Sequence, residues 1–207
     1  LRKGDYHSAA TRFETLIESD PSTMYYRLIP LIWTPEPQPS RLVDAANEWI
    51  KDNDEPMQLI GASVLLSTPQ YEKIARGVLR GLMASIDERV YGPAEAQLWR
   101  MRLGADNLDS GDVNRWLPRL EKIPAELRGG PTFVVGQAYF RVQQYEQAAA
   151  MLLWVPLAYD DDYHLAARAC FVAAEGLSRI GQTHESATLY RELTQRFGES
   201  PYALEAV

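Results

Sequence analysis

Gly136-Gln137-Ala138-Tyr139-Phe140-Arg141-Val142-Gln143-Gln144-Tyr145-Glu146-Gln147-Ala148, read with Ile180-Gly181-Gln182-Thr183, Ser186 and Tyr190 further on, decides the fold. Each stretch is a helix, a tight turn and a second helix. Setting the turn Val142–Tyr145 on the turn Ile180–Thr183 puts Gly136 on Ala174, Tyr139 on Leu177, Ala148 on Ser186 and Leu152 on Tyr190, a constant offset of 38 residues. Small and aromatic residues recurring at a fixed period of roughly 20–50 residues mark helix pairs that bury their apolar faces against one another. The expected architecture is all-α, a right-handed α-solenoid.

Working outward, Gly4-Asp5-Tyr6-His7-Ser8-Ala9, then Phe13, Leu16-Ile17 and Asp20-Pro21, has the form of the second half of such a unit. Glycine and aspartate make the turn, Ala9 sits where the helices cross, and Pro21 stops the second helix because it has no amide hydrogen to donate. Leu1 stands where the first helix of that unit should already be ending, so the chain is expected to be cut from a longer protein. Leu103-Gly104 with Asp109 to Val113, Trp116 and Leu120 repeats the pattern, with tryptophan where a small crossing residue is expected. Ile60-Gly61 and Val64 with Tyr71, Ala75, Leu79 and Leu82 repeat it with one inserted residue.

Thr34-Pro35-Glu36-Pro37-Gln38-Pro39-Ser40 alternates three prolines and reads as an extended connector between helices at Tyr25–Trp33 and Arg41–Lys51. Thr68-Pro69, Gly92-Pro93 and Ser200-Pro201 each read as a helix start, with Thr68 and Ser200 able to cap, and Pro124 to Pro131 reads as a longer loop. About eleven helices and no strand are expected. They form one body over residues 1–207, with about six helix pairs: half a repeat at 1–21, degenerate repeats at 22–97 and clearer ones at 98–207.

Composition excludes several classes of function. No apolar run reaches the roughly 18–20 residues that span a bilayer; the longest, Ala148–Ala158, is broken by Pro156. A formal charge of −7 without a Lys/Arg cluster argues against nucleic acid as partner. The single cysteine, Cys170, lies on an apolar helical face and reads as a core residue. Only His7, His164 and His184 are available for acid–base work, and none accompanies a nucleophile motif. Asp160-Asp161-Asp162-Tyr163-His164 has the residue types of a cation site, yet adjacent side chains do not converge; it reads instead as an acidic start to the next helix. Asp106 to Asp112 reads as a turn, because Leu108 occupies a ligand position of a calcium loop and the closing glutamate is absent. No enzyme, cofactor or metal is expected.

The repeat units resemble tetratricopeptide repeats, whose form is W-x2-L-G-x2-Y, then A-x3-F, then P. From Phe133 to Val207 the chain resembles the tetratricopeptide proteins of the bacterial cell envelope, on Gly136-Gln137-Ala138-Tyr139-Phe140, on Gln144 to Ala148, and on Tyr190, Leu193, Arg196-Phe197 and Ser200-Pro201-Tyr202-Ala203. The resemblance implies a noncatalytic scaffold, and leans toward a bacterial cell-envelope address. In such pairs the first helix lines a concave groove, which assigns partner binding to Phe133, Gln137, Phe140 and Arg141 and, one period on, to Phe171, Glu175, Ser178 and Arg179. The partner is a protein or peptide. Chaperone-binding relatives hold a carboxylate with Lys and Asn; Phe133 and Gln137, then Phe171 and Glu175, stand in those places, so that activity is not implied. Two other functions are compatible with the sequence. One is a substrate-positioning arm of a larger enzyme. The other is a small-ligand protein built around Trp33, Trp49, Trp99, Trp116 and Trp154, which read first as core.

Overall fold

The computed structural model describes residues 32–33, 38–160 and 162–205. The opening unit Gly4–Pro21 lies outside these, as do most of the helix expected at Tyr25–Trp33 and much of the proline connector. Among the described residues every regular element is helical, with ten α-helices and no strand. They are α1 (Ser40–Trp49), α2 (Glu55–Leu65), α3 (Glu72–Leu82), α4 (Glu88–Arg102), α5 (Ser110–Leu120), α6 (Gly129–Arg141), α7 (Tyr145–Ala158), α8 (Tyr163–Arg179), α9 (Thr183–Arg196) and α10 (Pro201–Glu205). A 3-10 turn, Ala125–Leu127, precedes α6.

The chain divides into two compact units, and the division falls inside α4, between Leu98 and Trp99. It coincides with the junction between the degenerate repeats of 22–97 and the clearer ones of 98–207. In the first unit α2 packs between α1 and α3. Ile32, Leu59, Ile60, Leu65 and Leu79 are fully buried there. Burial of each such aliphatic side chain is worth about 1.5–3 kcal/mol. Gln97, itself without solvent exposure, donates from Nε2 to the Ile32 carbonyl at 2.7 Å.

The second unit is a run of neighbours: α5 meets α6, α6 meets α7, α7 meets α8 and α8 meets α9, while α8 also touches α6 and α10. This nearest-neighbour pattern is consistent with a helical repeat. Gly136 shows why α6 and α7 come so close. A Cβ there would stand 2.6 Å from Leu152 Cγ, so only hydrogen fits. The tryptophan at the expected small position, Trp116, lies buried and stacked on Trp99, ring centroids 5.5 Å apart and planes 7° from parallel.

The 38-residue period is written in the backbone. The amides of Gln143 and Gln144 donate to the carbonyls of Phe140 and Tyr139 at 3.1 and 2.9 Å. One period on, Gly181 and Gln182 donate to Ser178 and Leu177 at 3.1 and 3.0 Å. Both are Schellman ends, which need one left-handed residue just past the helix. Gln143 has φ 61° and Gly181 φ 79°, the two positive values among the described residues. The next corner repeats as well. The Tyr159 and Phe197 amides close α7 and α9 on Val155 and Leu193, at 2.9 and 2.8 Å. The Asp162 carboxylate then accepts from the Leu165 amide at 3.0 Å, and the Ser200 hydroxyl oxygen from Ala203 at 3.2 Å.

Ser200-Pro201 therefore starts a helix as expected. Three other expectations are corrected. Pro93 lies within α4 and does not start it, because the Asp87 carbonyl already accepts the Val90 and Tyr91 amides, each at 2.9 Å. Thr68-Pro69 makes a turn ahead of α3, which begins at Glu72. Pro124 to Pro131 is no long loop: the 3-10 turn occupies it and α6 begins at Gly129, putting Pro131 in its first turn. Of Asp106 to Asp112, expected as a turn, Asp106 and Asn107 make one, while Ser110 to Asp112 already belong to α5, which Asp109 caps by accepting the Asp112 amide at 2.8 Å.

Reciprocal substitutions at the two turns should have opposite effects. Gln143 is exposed, and left-handed backbone costs a side-chain-bearing residue about 1–2 kcal/mol. Gln143→Gly should raise unfolding free energy by about 0.5–1 kcal/mol, after allowing for the freer unfolded chain. Gly181→Gln should lower it by about 1–2 kcal/mol although a Cβ would meet nothing within 4 Å. Urea denaturation followed by helical circular dichroism measures both; equal signs would disprove the common turn geometry.

Candidate functional site

The residues assigned to a groove do not share one environment. Phe133, on the second turn of α6, is 2% exposed, and the Arg168 guanidinium of α8 lies 4.9 Å above its ring. This corrects its assignment. It is a packing residue between α6 and α8, on a helix buried on nearly every side, Val134, Val135 and Ala138 included. Phe171, its counterpart one period on, is half-buried with ring centroids 5.9 Å from both Tyr190 and Tyr202. It is covered by α9 and α10 instead of lining open surface. Gln137 and Glu175 are half-buried, and Ser178 is exposed. Burial raises the Tyr190 hydroxyl pKa, and the Glu175 carboxylate adds to the effect.

Phe140, Arg141 and Arg179 behave differently. Phe140, in the last turn of α6, meets Tyr145, the first residue of α7, edge to face at 5.2 Å. Arg179, in the last turn of α8, places its guanidinium 5.2 Å from the Phe140 ring and 5.7 Å from that of Tyr145. Arg141 is exposed in the last turn of α6, as Arg179 is in the last turn of α8. Both cations sit where the helix dipole is negative, a placement worth about 0.3–1 kcal/mol each. The cluster occurs once, because Ser178 and Thr183 replace Phe140 and Tyr145 one period on. What the cluster offers chemically is a rigid aromatic–guanidinium edge able to take a planar or anionic group.

The acidic stretch before α8 serves the helix. Asp162 spends a carboxylate oxygen on the Leu165 amide, and burial pushes its pKa up to about 6. His164 meets the Tyr163 ring edge to face at 5.6 Å.

One surface was missed by the sequence reading. Trp33, Trp99 and Trp116 are buried and Trp49 half-buried, yet Trp154 is 59% exposed, which corrects its assignment to the core. Leu157, less than one turn on, is 73% exposed. The inner face of α7 buries Ala148, Ala149, Leu152 and Val155, so Trp154 and Leu157 fall on the outer one. The signal was the apolar run Ala148–Ala158, which supplies more apolar positions than one buried face can use. No helix among the described residues is long and apolar enough to cross a membrane.

Comparison of the chain with protein-family models, curated proteins and solved structures finds no match.

Cys170 is 1% exposed in a cluster with Ala166, Ala167, Leu193, Phe197 and Ala203, and burial pushes its thiol up to about 11. The thiolate is the reactive species. In the native protein at pH 8 a disulfide reagent should therefore modify less than about a tenth of Cys170 on a timescale at which the denatured chain reacts completely. Fast stoichiometric labelling of native protein would show that the α8–α9 packing is open.

Proposed function

We propose that the chain is a noncatalytic protein-interaction scaffold. In this reading the helix pairs of its second unit wind as a right-handed α-solenoid of tetratricopeptide type, and a partner peptide or helix lies across the open side of α6 and α8. The observation that carries it is the Phe140–Tyr145 edge-to-face pair with the Arg179 guanidinium over both rings, and Arg141 exposed at the matching position one period earlier. Aromatic residues and arginine held rigid before binding are the composition of interface hot spots. Pre-stacking Arg179 also removes part of the side-chain ordering cost, about 0.5–1.5 kcal/mol for a rotamer-rich residue. The binding residues of this scaffold are Gln137, Phe140, Arg141, Glu175 and Arg179, with Phe133 and Phe171 supporting them from within. The mechanism is shape and charge, with no bond made or broken.

The test is affinity capture from the source cell with wild type beside Arg141→Glu/Arg179→Glu, after matching their helical circular dichroism. Loss of about 2–3 kcal/mol, tenfold or more in retained partner, is expected when two hot-spot arginines are reversed in sign. A partner held equally by both proteins would refute the site; no captured partner at all would refute the scaffold.

A further inference from the structure

We propose that the outer face of α7, centred on Trp154 and Leu157, is a second docking surface, which takes a short basic amphipathic helix from a partner protein. It is separate from the α6–α8 edge, because α7 turns its inner face to both of those helices.

The repeat itself shows that the fold does not require this face to be apolar. One period on, Trp154 becomes Glu192, Leu157 becomes Gln195, Leu153 becomes Arg191 and Ala150 becomes Thr188. At those positions α9 carries an ordinary solvated surface: Glu192 pairs with Arg196 at 2.6 Å and Arg191 donates to Thr188 at 3.0 Å. Two helices with matching caps and turns thus exchange large apolar residues for polar ones at the outward positions, and an exposed aromatic beside an exposed leucine forms the kind of contiguous apolar patch that is often functional.

Size and charge select the occupant. A tryptophan can bury up to roughly 250 Å² and a leucine about 100 Å², so at these exposures the stripe offers about 300 Å² with its neighbouring alanines. A stable dimer needs about 800 Å² from each partner, which a second copy of this face would not supply. Two turns of helix match it, with anchors at i and i+3 or i+4. The charges that frame the stripe on α7 and just beyond it are the exposed Glu146 and Asp160. Arg196 reaches the Pro156 carbonyl at 3.2 Å but is paired with Glu192, and Arg179 lies over Tyr145 at the opposite end. With a chain charge of −7, a helix carrying lysine or arginine around an apolar stripe is complementary.

The experiment titrates wild type into a fluorescently labelled Leu/Lys amphipathic helical peptide of about four turns, with a Leu/Glu peptide of the same pattern as comparison, and follows anisotropy. Binding of the Leu/Lys peptide is expected, weakened tenfold or more by Trp154→Ser/Leu157→Ser and matched by a tenfold or greater preference over Leu/Glu. Both substituted residues are exposed, and a closed Cys170 thiol in the variant confirms the fold. Arg141→Glu/Arg179→Glu should still bind, which separates this face from the α6–α8 edge. Equal binding by the Trp154/Leu157 variant, no binding by wild type, or a wild-type dimer in sedimentation that this variant dissociates would each overturn the proposal.

Discussion

Two helix pairs of the second unit reverse direction within three residues through a Schellman end, which requires one residue in left-handed backbone, and the unit depends on that constraint. Gln143 and Gly181 meet it, 38 residues apart, each with the same pair of amide-to-carbonyl bonds. Because the turn fixes the angle at which the second helix leaves, it also fixes which residues of that helix face back. Ala148 and Ser186 occupy the crossing in the two pairs. Ala148 is small enough for close contact, and Ser186 is buried because its hydroxyl donates to the Ala174 carbonyl at 2.8 Å. That bond is more than a cap on one polar atom: it ties the second helix to the first where the turn has brought them together.

Local chemistry was the part of the fold legible in the sequence. The turns at Val142–Tyr145 and Ile180–Thr183, the start at Ser200-Pro201 and the burial of Cys170 all follow from residues within a few positions of one another. Errors arose where a local signal was outranked. Proline at 93 looked like a helix start, but Asp87 had already begun the helix through its carbonyl, and its carboxylate also accepts the Arg89 amide at 2.9 Å. Between Pro124 and Pro131 the prolines and glycines suggested a loop. Arg128 holds that segment instead, donating to the Ile123 and Glu121 carbonyls, the latter at 2.7 Å. Side-chain contacts five and seven residues back along the chain are not readable from propensity.

The site was half legible for a related reason. Periodicity paired Phe133 with Phe171 and Arg141 with Arg179, and each arginine is the last residue of its helix. Periodicity does not say which side of a helix stays open. Phe133 faces Arg168 and the interior, while Phe171 is covered by Tyr202 from α10. Equivalent positions share a direction, but each meets whatever the following helix presents. Arg179 stacks on Phe140 and Tyr145 because α7 supplies the second ring; with Ser178 and Thr183 one period later, the same backbone has no ring to offer.

Trp154 shows how comparison between repeats exposes what a single helix conceals. Taken alone, α7 is apolar on every side, and such a helix is ordinarily a buried one; counting its tryptophan as core was the natural inference. Placed over α9, its inner positions Ala148 and Val155 fall on buried Ser186 and Leu193 and Leu152 falls on half-buried Tyr190, while its outer positions diverge in polarity. Selection for folding acts alike on both helices, since both close the same kind of pair through the same turn. The loss of large apolar residues at the outward positions of α9 therefore has no origin in the packing of the unit. It must answer to something outside that packing, and the chemistry of Trp154 and Leu157 says what kind of surface that is: apolar, narrow and rimmed by carboxylates.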